Sequence, residues 1–152
     1  MKRSGIAAVV AVLSAAAAWA GGPGLHAQFV GGTPPGVTEK SNTHLDFTGT
    51  DTLILRGRDT DLRISYRKIH TIEYGQNVSR RYAEAILISP VLLLAKSRKH
   101  FVTLEYEDEA GTQQALVLRV DKKHIRSVLA SLEARSGRRV EYQDNEARKA
   151  GR

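Results

Sequence analysis

The feature that most constrains the fold is a long run of short segments in which apolar and polar residues alternate. In the best example, Leu62, Ile64 and Tyr66 are separated by polar residues, which is typical of a strand with one buried face. Turn-forming Gly and Asp residues separate the segments. This pattern predicts five to seven short strands, and the candidate segments are 44–47, 52–58, 62–67, 69–74, 101–106, 114–120 and 139–142.

The hydrophobic period changes once, after the last long strand. Apolar residues then recur at i, i+3, i+4 and i+7, at Ile125, Val128, Leu129 and Leu132. This spacing predicts an amphipathic helix over 122–136, followed by Gly137 as a helix-ending residue. Because no helical segment connects the long strands, they are expected to pair as antiparallel hairpins. The predicted fold is therefore mainly β: a small bent antiparallel sheet or partly open barrel, capped by a C-terminal amphipathic helix.

The N-terminus has the three parts of a secretory signal peptide. Lys2 and Arg3 precede an apolar stretch at 6–18, and Ala18-Trp19-Ala20 is a small-x-small triplet. The apolar stretch is too short to span a bilayer as a helix. We expect residues 1–20 to be a signal peptide, with cleavage after Ala20 or as late as Ala27. The protein is then periplasmic or secreted, and association with the membrane is an open alternative.

Composition narrows the organisation and the chemistry. The formal net charge of the 152-residue chain is +7, and removal of the leader with its two cations would reduce it to +5. The chain has no Cys, which excludes disulfides, thiolate nucleophiles and Cys-ligated metals. Residues 21–43 are rich in Gly and Pro and are predicted to be a flexible linker. Residues 143–152 are predicted to be a polar tail, which leaves one domain over 44–142.

Three runs of this domain resemble the bacterial pleckstrin-homology-like (PH-like) domains. They are TLILRGRDTDLRISYRKIHTIEYG from Thr52, KHFVTLEYEDEAGTQQALVLRV from Lys99 and DKKHIRSVLASLEARSG from Asp121. The resemblance covers 44–142 and contains no catalytic motif. It implies a seven-stranded bent sheet capped by a C-terminal helix, which serves as a binding or scaffolding module.

The phosphoinositide site of some members of that family is a basic hairpin between the first two strands. Here Arg56 and Arg58 stand near Arg63, but Asp59 and Asp61 lie between them. Phosphoinositide recognition is therefore not implied for this chain.

An apolar segment between two basic clusters is the most unusual part of the sequence. Residues 82–95 contain one charge, Glu84. Two interpretations are open: the segment packs in the core, or it dips into a membrane surface while the cations meet anionic headgroups. The candidate anion or membrane contacts are Arg80, Arg81, Lys96, Arg98 and Lys99.

The sequence contains no pattern that indicates an enzyme. There is no G-x-S-x-G elbow and no phosphate-binding loop. The weak candidates for metal or acid–base chemistry are His44-x-Asp46, Asp59-x-Asp61 and His70-x-x-Glu73, each without a recognisable third ligand. We therefore expect no catalytic residue, no metal and no cofactor.

The expected partner is an envelope component. Basic and aromatic residues do not interleave as they do in nucleic-acid-binding proteins, so nucleic acid is not expected. The sequence predicts a non-catalytic exported module that binds an unknown envelope protein or an anionic lipid surface. The alternative is a peripheral membrane protein that binds anionic lipid through 82–95 and its flanking cations.

Overall fold

A single sheet of eight strands organises the molecule. The computed structural model of the protein describes residues 25–58, 60–86 and 99–151. The strands are β1 (Leu25–Gly32), β2 (Asn42–Asp46), β3 (Thr52–Arg56), β4 (Asp61–Ser65), β5 (Ile69–Gly75), β6 (His100–Glu107), β7 (Gln113–Val120) and β8 (Val140–Tyr142). Their order across the sheet is β4-β3-β2-β1-β7-β6-β5-β8. The sheet does not close into a barrel.

The mainly β fold with a C-terminal helix is confirmed, with one difference in strand direction. All neighbouring strands pair antiparallel except β5 and β8, which pair parallel with Ile72 opposite Val140. The sheet is therefore mixed. A parallel pair is possible here because the chain between β5 and β8 is long enough to return to the same end of the sheet.

Three α-helices and one 3-10 turn accompany the strands in the described part of the chain. They are the 3-10 turn Tyr66–Lys68, α1 (Arg80–Ala85), α2 (Ile125–Ser136) and α3 (Asn145–Gly151). The predicted helix over 122–136 is α2, which begins three residues later than expected. It ends where Gly137 adopts a φ of 70° and donates its N–H to the Glu133 carbonyl at 2.9 Å, the helix ending that glycine favours.

The prediction of a flexible linker over 21–43 is wrong for residues 25–32, which form β1, an interior strand of the sheet, and for residues 42–43, which begin β2. Strand β1 pairs with β2 on one side and β7 on the other. Its register shifts between Phe29 and Gly31. A side chain at Gly32 would place its Cβ 2.8 Å from the Ala115 carbonyl oxygen, so this glycine permits a close approach of two strands.

The prediction of a polar tail over 143–152 is wrong for residues 145–151, which form α3. The Asp144 carboxylate accepts a hydrogen bond from the Ala147 N–H at 2.7 Å, as a helix-capping residue does. Ala147 is fully buried and Gly151 is also buried. Such small residues give almost no hydrophobic signal in a sequence, which is why the helix was not predicted.

The two faces of the sheet carry separate apolar clusters. Val102, Leu116 and Leu118 join the large core beneath α2, whereas their neighbours Phe101 and Val117 point to the opposite face. On that opposite face, α1 and the residues beside it cover the sheet. The second cluster consists of Val30, Val78, Tyr82, Ala83, Ile86, Phe101 and Val117.

The start of the apolar segment 82–95 therefore packs against the protein. Tyr82 is 2% exposed and Ile86 is 6% exposed, so the core interpretation is confirmed for these residues. Residues 87–95 lie outside the described part of the chain. Among the described residues, no helix has the length and apolar character needed to cross a membrane.

Candidate functional site

The C-terminal helices form a rigid platform on the core face of the sheet. Helix α2 buries Ile125, Val128, Leu129 and Leu132, so its remaining residues face outward. Helix α3 docks on α2 and β8 through small residues. A Cβ on Gly151 would lie 2.8 Å from Tyr142 Cε1 and 3.1 Å from both Leu129 Cδ1 and Tyr74 Cδ1. The close approach fixes α3 against its neighbours.

Two adjoining pockets open around this platform and share Arg126. The larger has a volume of about 890 Å³ and lies between the start of α2 and α3. The smaller has a volume of about 530 Å³ and lies between α2, β8 and α3. Six cations line the two pockets, and we call this surface the basic cleft: Lys122, Lys123, Arg126, Arg139, Arg148 and Lys149.

The cations of the basic cleft are not neutralised by the described part of the protein. None of their side chains makes a hydrogen bond or ion pair with another described residue. Two carboxylates also line the pockets, at Glu133 and Glu146. Glu133 Oε1 accepts a hydrogen bond from the Val140 N–H at 2.8 Å. The cleft therefore carries a clear excess of positive charge, which favours an anionic ligand.

Tyr74 and His100 form a neutral pair close to the larger pocket. Their rings stack with centroids 6.0 Å apart, and a hydrogen bond joins Tyr74 Oη to His100 Nδ1. Burial lowers the pKa of His100, and the charge of nearby Lys122 lowers it further. Burial also raises the pKa of Tyr74 to about 12. At neutral pH both groups are uncharged, so they support the platform without adding to its charge.

Arg80 and Arg81, which the sequence analysis singled out, lie on the opposite face and have carboxylate partners. Arg80 Nε is 2.9 Å from Glu84 Oε1. Arg81 Nη2 lies 3.6 Å from Glu105 Oε1 and 4.0 Å from Glu73 Oε2.

The Arg81 guanidinium also sits over the Tyr82 ring, 4.5 Å from its centroid, and hydrogen-bonds the Tyr82 hydroxyl. These contacts raise the pKa of Arg81, with the hydrogen bond to Tyr82 as the main cause. Its charge therefore serves to fasten α1 to the sheet.

The other predicted contacts are not brought together with this pair in the described residues. Lys99 is half-buried immediately before β6. Lys96 and Arg98 lie outside the described part of the chain.

The carboxylates of two of the weak metal candidates already accept hydrogen bonds from the protein. Asp46 is occupied: Oδ1 accepts hydrogen bonds from Thr48, and Oδ2 accepts them from Arg56. His70 is exposed on β5, while Glu73 accepts a hydrogen bond from Gln143. Asp59 lies outside the described residues. In the part of the chain that the structure describes, no group of three or more His, Cys, Asp or Glu is placed to hold a metal.

Sequence reasoning missed the basic cleft. One signal was available, because Lys122 and Arg126 are four residues apart and share the outer face of the predicted helix. Lys123 lies beside Lys122 and Arg139 immediately precedes β8, whereas Arg148 and Lys149 lie on α3, a helix that the sequence did not reveal. Comparison with protein-family models, with curated proteins and with solved structures found no match.

Proposed function

We propose that this protein is a non-catalytic binding module of the bacterial cell envelope that holds an anionic partner in the basic cleft. The observation that carries the proposal is the set of six cations around two adjoining pockets, without hydrogen-bonded or ion-paired partners among the described residues. Each cation near an anionic surface contributes about 1 kcal/mol. The partner is an anionic lipid surface or an acidic envelope protein, and we propose neither nucleic acid nor a cofactor.

The strand order supports a PH-like domain. Strands β1 to β4 follow one another across half of the sheet, and β7, β6 and β5 follow one another across the other half. The two halves meet where β1 pairs with β7, and α2 packs on the core face. Counted with β1, which precedes the 44–142 range of the resemblance, this arrangement has the seven strands and C-terminal helix that the resemblance implies. Strand β8 adds an eighth strand at the edge.

The position of β1 favours the earlier of the two cleavage sites. Cleavage after Ala27 would remove the first three residues of β1, of which Ala27 is 7% exposed and lies opposite Val120 on β7. Cleavage after Ala20 would leave the strand whole. We propose export with cleavage after Ala20, and the mass of the exported protein tests this. A mature chain that starts at Gln28 would contradict it.

A vesicle co-sedimentation assay tests the basic cleft. The protein is mixed with phosphatidylcholine vesicles with or without phosphatidylglycerol. The test variant is Arg126→Glu with Lys149→Glu, and the control is Arg63→Glu with Arg67→Glu, which makes the same charge change on exposed residues around β4. Reversal of two cleft cations is expected to weaken binding by at least about 2 kcal/mol, or about 30-fold.

The outcomes separate the cleft from net charge. Binding that is salt-sensitive, needs phosphatidylglycerol and is lost only in the cleft variant supports a lipid partner. Equal loss in both double variants would show that net charge alone drives binding and would contradict the proposal. If no vesicle is bound, the same pair of variants is titrated with a soluble poly-glutamate peptide, and absence of binding to both probes also contradicts it.

The alternative of lipid binding through 82–95 is narrowed by the burial of Tyr82, Ala83 and Ile86. The residues that remain as candidate lipid contacts are 87–95 with Lys96, Arg98 and Lys99. The alternative is tested in the same vesicle co-sedimentation assay with the variant Lys96→Glu with Arg98→Glu. Loss of vesicle binding in this variant, with binding retained in the cleft variant, would favour the alternative.

A further inference from the structure

Two histidines face each other on the α1 side of the sheet, away from the basic cleft. His26 on β1 lies directly opposite His44 on β2 in the antiparallel register. Their ring centroids are 4.2 Å apart and the rings are tilted by 56°. Both residues are exposed to solvent. The sequence analysis considered His44 with Asp46 and placed His26 in a linker, so this pairing was not predicted.

We propose that His26 and His44 together bind one divalent late first-row transition-metal ion, with Cu²⁺ held most tightly. Imidazole nitrogen is a favoured ligand of copper, nickel and zinc, and affinity for such a site rises towards copper. A metal–nitrogen bond is about 2 Å long, so two nitrogens on one ion lie at most about 4 Å apart. Rings at the observed separation reach this geometry by rotation of the exposed side chains. Water completes the coordination.

The charges on the next strands favour a cation at this place. Arg56 on β3 lies opposite His44, and Asp61 on β4 lies opposite Arg56. The Arg56 guanidinium contacts Asp46 Oδ2 at 2.8 Å and Asp61 Oδ2 at 3.3 Å. The group of one cation and two carboxylates therefore has a net negative charge, and the charge of Arg56 is balanced by these carboxylates.

The register also shows why two imidazoles on adjacent strands bind better than one. Both histidines project from adjacent hydrogen-bonded strands, so their separation is set by the sheet before any metal arrives. When one imidazole holds the ion, the second binds it at a high effective concentration. Either histidine alone is expected to bind more weakly by on the order of 10²-fold.

Titration with Cu²⁺ tests the proposal, using protein without a polyhistidine tag. Calorimetry gives affinity and stoichiometry, and electron paramagnetic resonance counts the coordinated nitrogens. The variants are His26→Asn and His44→Asn. The matched control is His70→Asn, because His70 is exposed on β5 without a second histidine opposite it in the described register. Circular dichroism checks that each variant is folded.

The expected result is one Cu²⁺ per wild-type chain with two imidazole nitrogens, and one such nitrogen in either single variant. Affinity falls on the order of 10²-fold in both variants and stays unchanged in the control. Wild-type affinity in His26→Asn or His44→Asn would overturn the proposal, and so would an equal loss in His70→Asn. If one variant does not fold, the other variant and the nitrogen count of the wild-type protein decide the question. Vesicle or peptide binding by the basic cleft is independent of this result.

Discussion

Arg80 and Arg81 on one face of the sheet and the cations of the basic cleft on the other differ in whether carboxylates pair with them. On the α1 face, Arg81 lies within 4.0 Å of both Glu73 and Glu105, which project from adjacent strands β5 and β6. On the α2 face, Glu133 and Glu146 line the pockets of the basic cleft, but none of the six cations forms an ion pair with another described residue. A cluster of cations in a sequence therefore does not by itself identify a binding surface. Carboxylates from other strands can pair with the cations in the folded protein, and only unpaired cations are free to bind an anionic ligand.

The two faces also differ in how their helices are attached. Helix α1 fills its face with bulky side chains, since Tyr82 and Ile86 pack against Val30 and Phe101. Helix α3 is held by Ala147 and Gly151, which bring the backbone close but occupy little space. Concave surface is therefore left between α2, β8 and α3. Docking through small residues gives α3 little hydrophobic signal in the sequence, and it also leaves the space that forms the pockets.

The largest effect is expected from a change beneath the basic cleft. Leu129 is 2% exposed and contacts both the core and the docking position of Gly151. In Leu129→Asp a carboxylate would be buried without a partner, so we expect destabilisation of more than about 4 kcal/mol and loss of soluble protein. Soluble yield and urea unfolding measure this.

The control for that change is Ala130→Asp, which introduces the same residue at an exposed position of the same helix. It is expected to destabilise the protein by about 0.7 kcal/mol, the difference in helix propensity between Ala and Asp. Equal stability of the two variants would show that α2 does not support the cleft through its buried face.

Most of the fold could be predicted because alternation records which face of a strand is buried. Strands β2, β3 and β4 follow this rule, as the inward Leu53 and Leu55 show. Strands β6 and β7 are buried on both faces near their centres, but their apolar runs still predict strands. Strand β1 has neither signal. Its residues Phe29 and Val30 are adjacent and both buried, because both faces of the sheet are covered there and a register shift follows. A strand buried on both faces and rich in glycine has no sequence pattern that separates it from a linker.

The candidate site could be predicted only in part, for a different reason. Arg80 and Arg81 attracted attention because they are adjacent in sequence, yet their charges are engaged by Glu84, Glu73 and Glu105. The basic cleft gathers residues from three separate segments, and its assembly depends on the docking of α3. The pairing of His26 with His44 likewise depends on β1. Both arrangements depend on elements that were not predicted from the sequence: α3 for the basic cleft and β1 for the histidine pair.

A second, smaller effect tests whether Glu73 and Glu105 prevent Arg81 from binding an anionic surface. Glu73→Gln with Glu105→Gln would leave Arg81 without a negative partner while keeping the side-chain size. We expect a loss of stability of about 1 kcal/mol, because the Arg81 side chain is 64% exposed and such ion pairs are weak. The freed charge should also increase salt-sensitive binding of phosphatidylglycerol vesicles.

The matched control for this change is Glu39→Gln with Glu109→Gln, which removes the same charge from exposed positions. Vesicle binding that rises equally in both double variants would mean that net charge, and not the release of Arg81, is responsible. That outcome would contradict the idea that the two faces differ in whether carboxylates engage their cations.

The smallest effect concerns Arg56, a third cation with carboxylate partners. Hydrogen bonds from Thr48, then from Arg56, lower the pKa of Asp46 from 3.8 to about 2. A carboxyl group with a lowered pKa stabilises the folded state above its unfolded pKa, and this stability is lost as the pH falls from about 3.8 to about 2. The contribution is about 0.5 kcal/mol, because solvent screens the pair.

Urea unfolding of wild-type protein, Asp46→Asn and Thr48→Ala across this acid range measures the contribution. The stability difference between wild type and Asp46→Asn should shrink towards the lower end of the range. Thr48→Ala should lose only part of the same pH dependence, because the Arg56 guanidinium still contacts the carboxylate at 2.8 Å. Parallel curves for wild type and Asp46→Asn would show that the hydrogen bonds from Thr48 and Arg56 do not lower the pKa of Asp46, and would contradict this prediction.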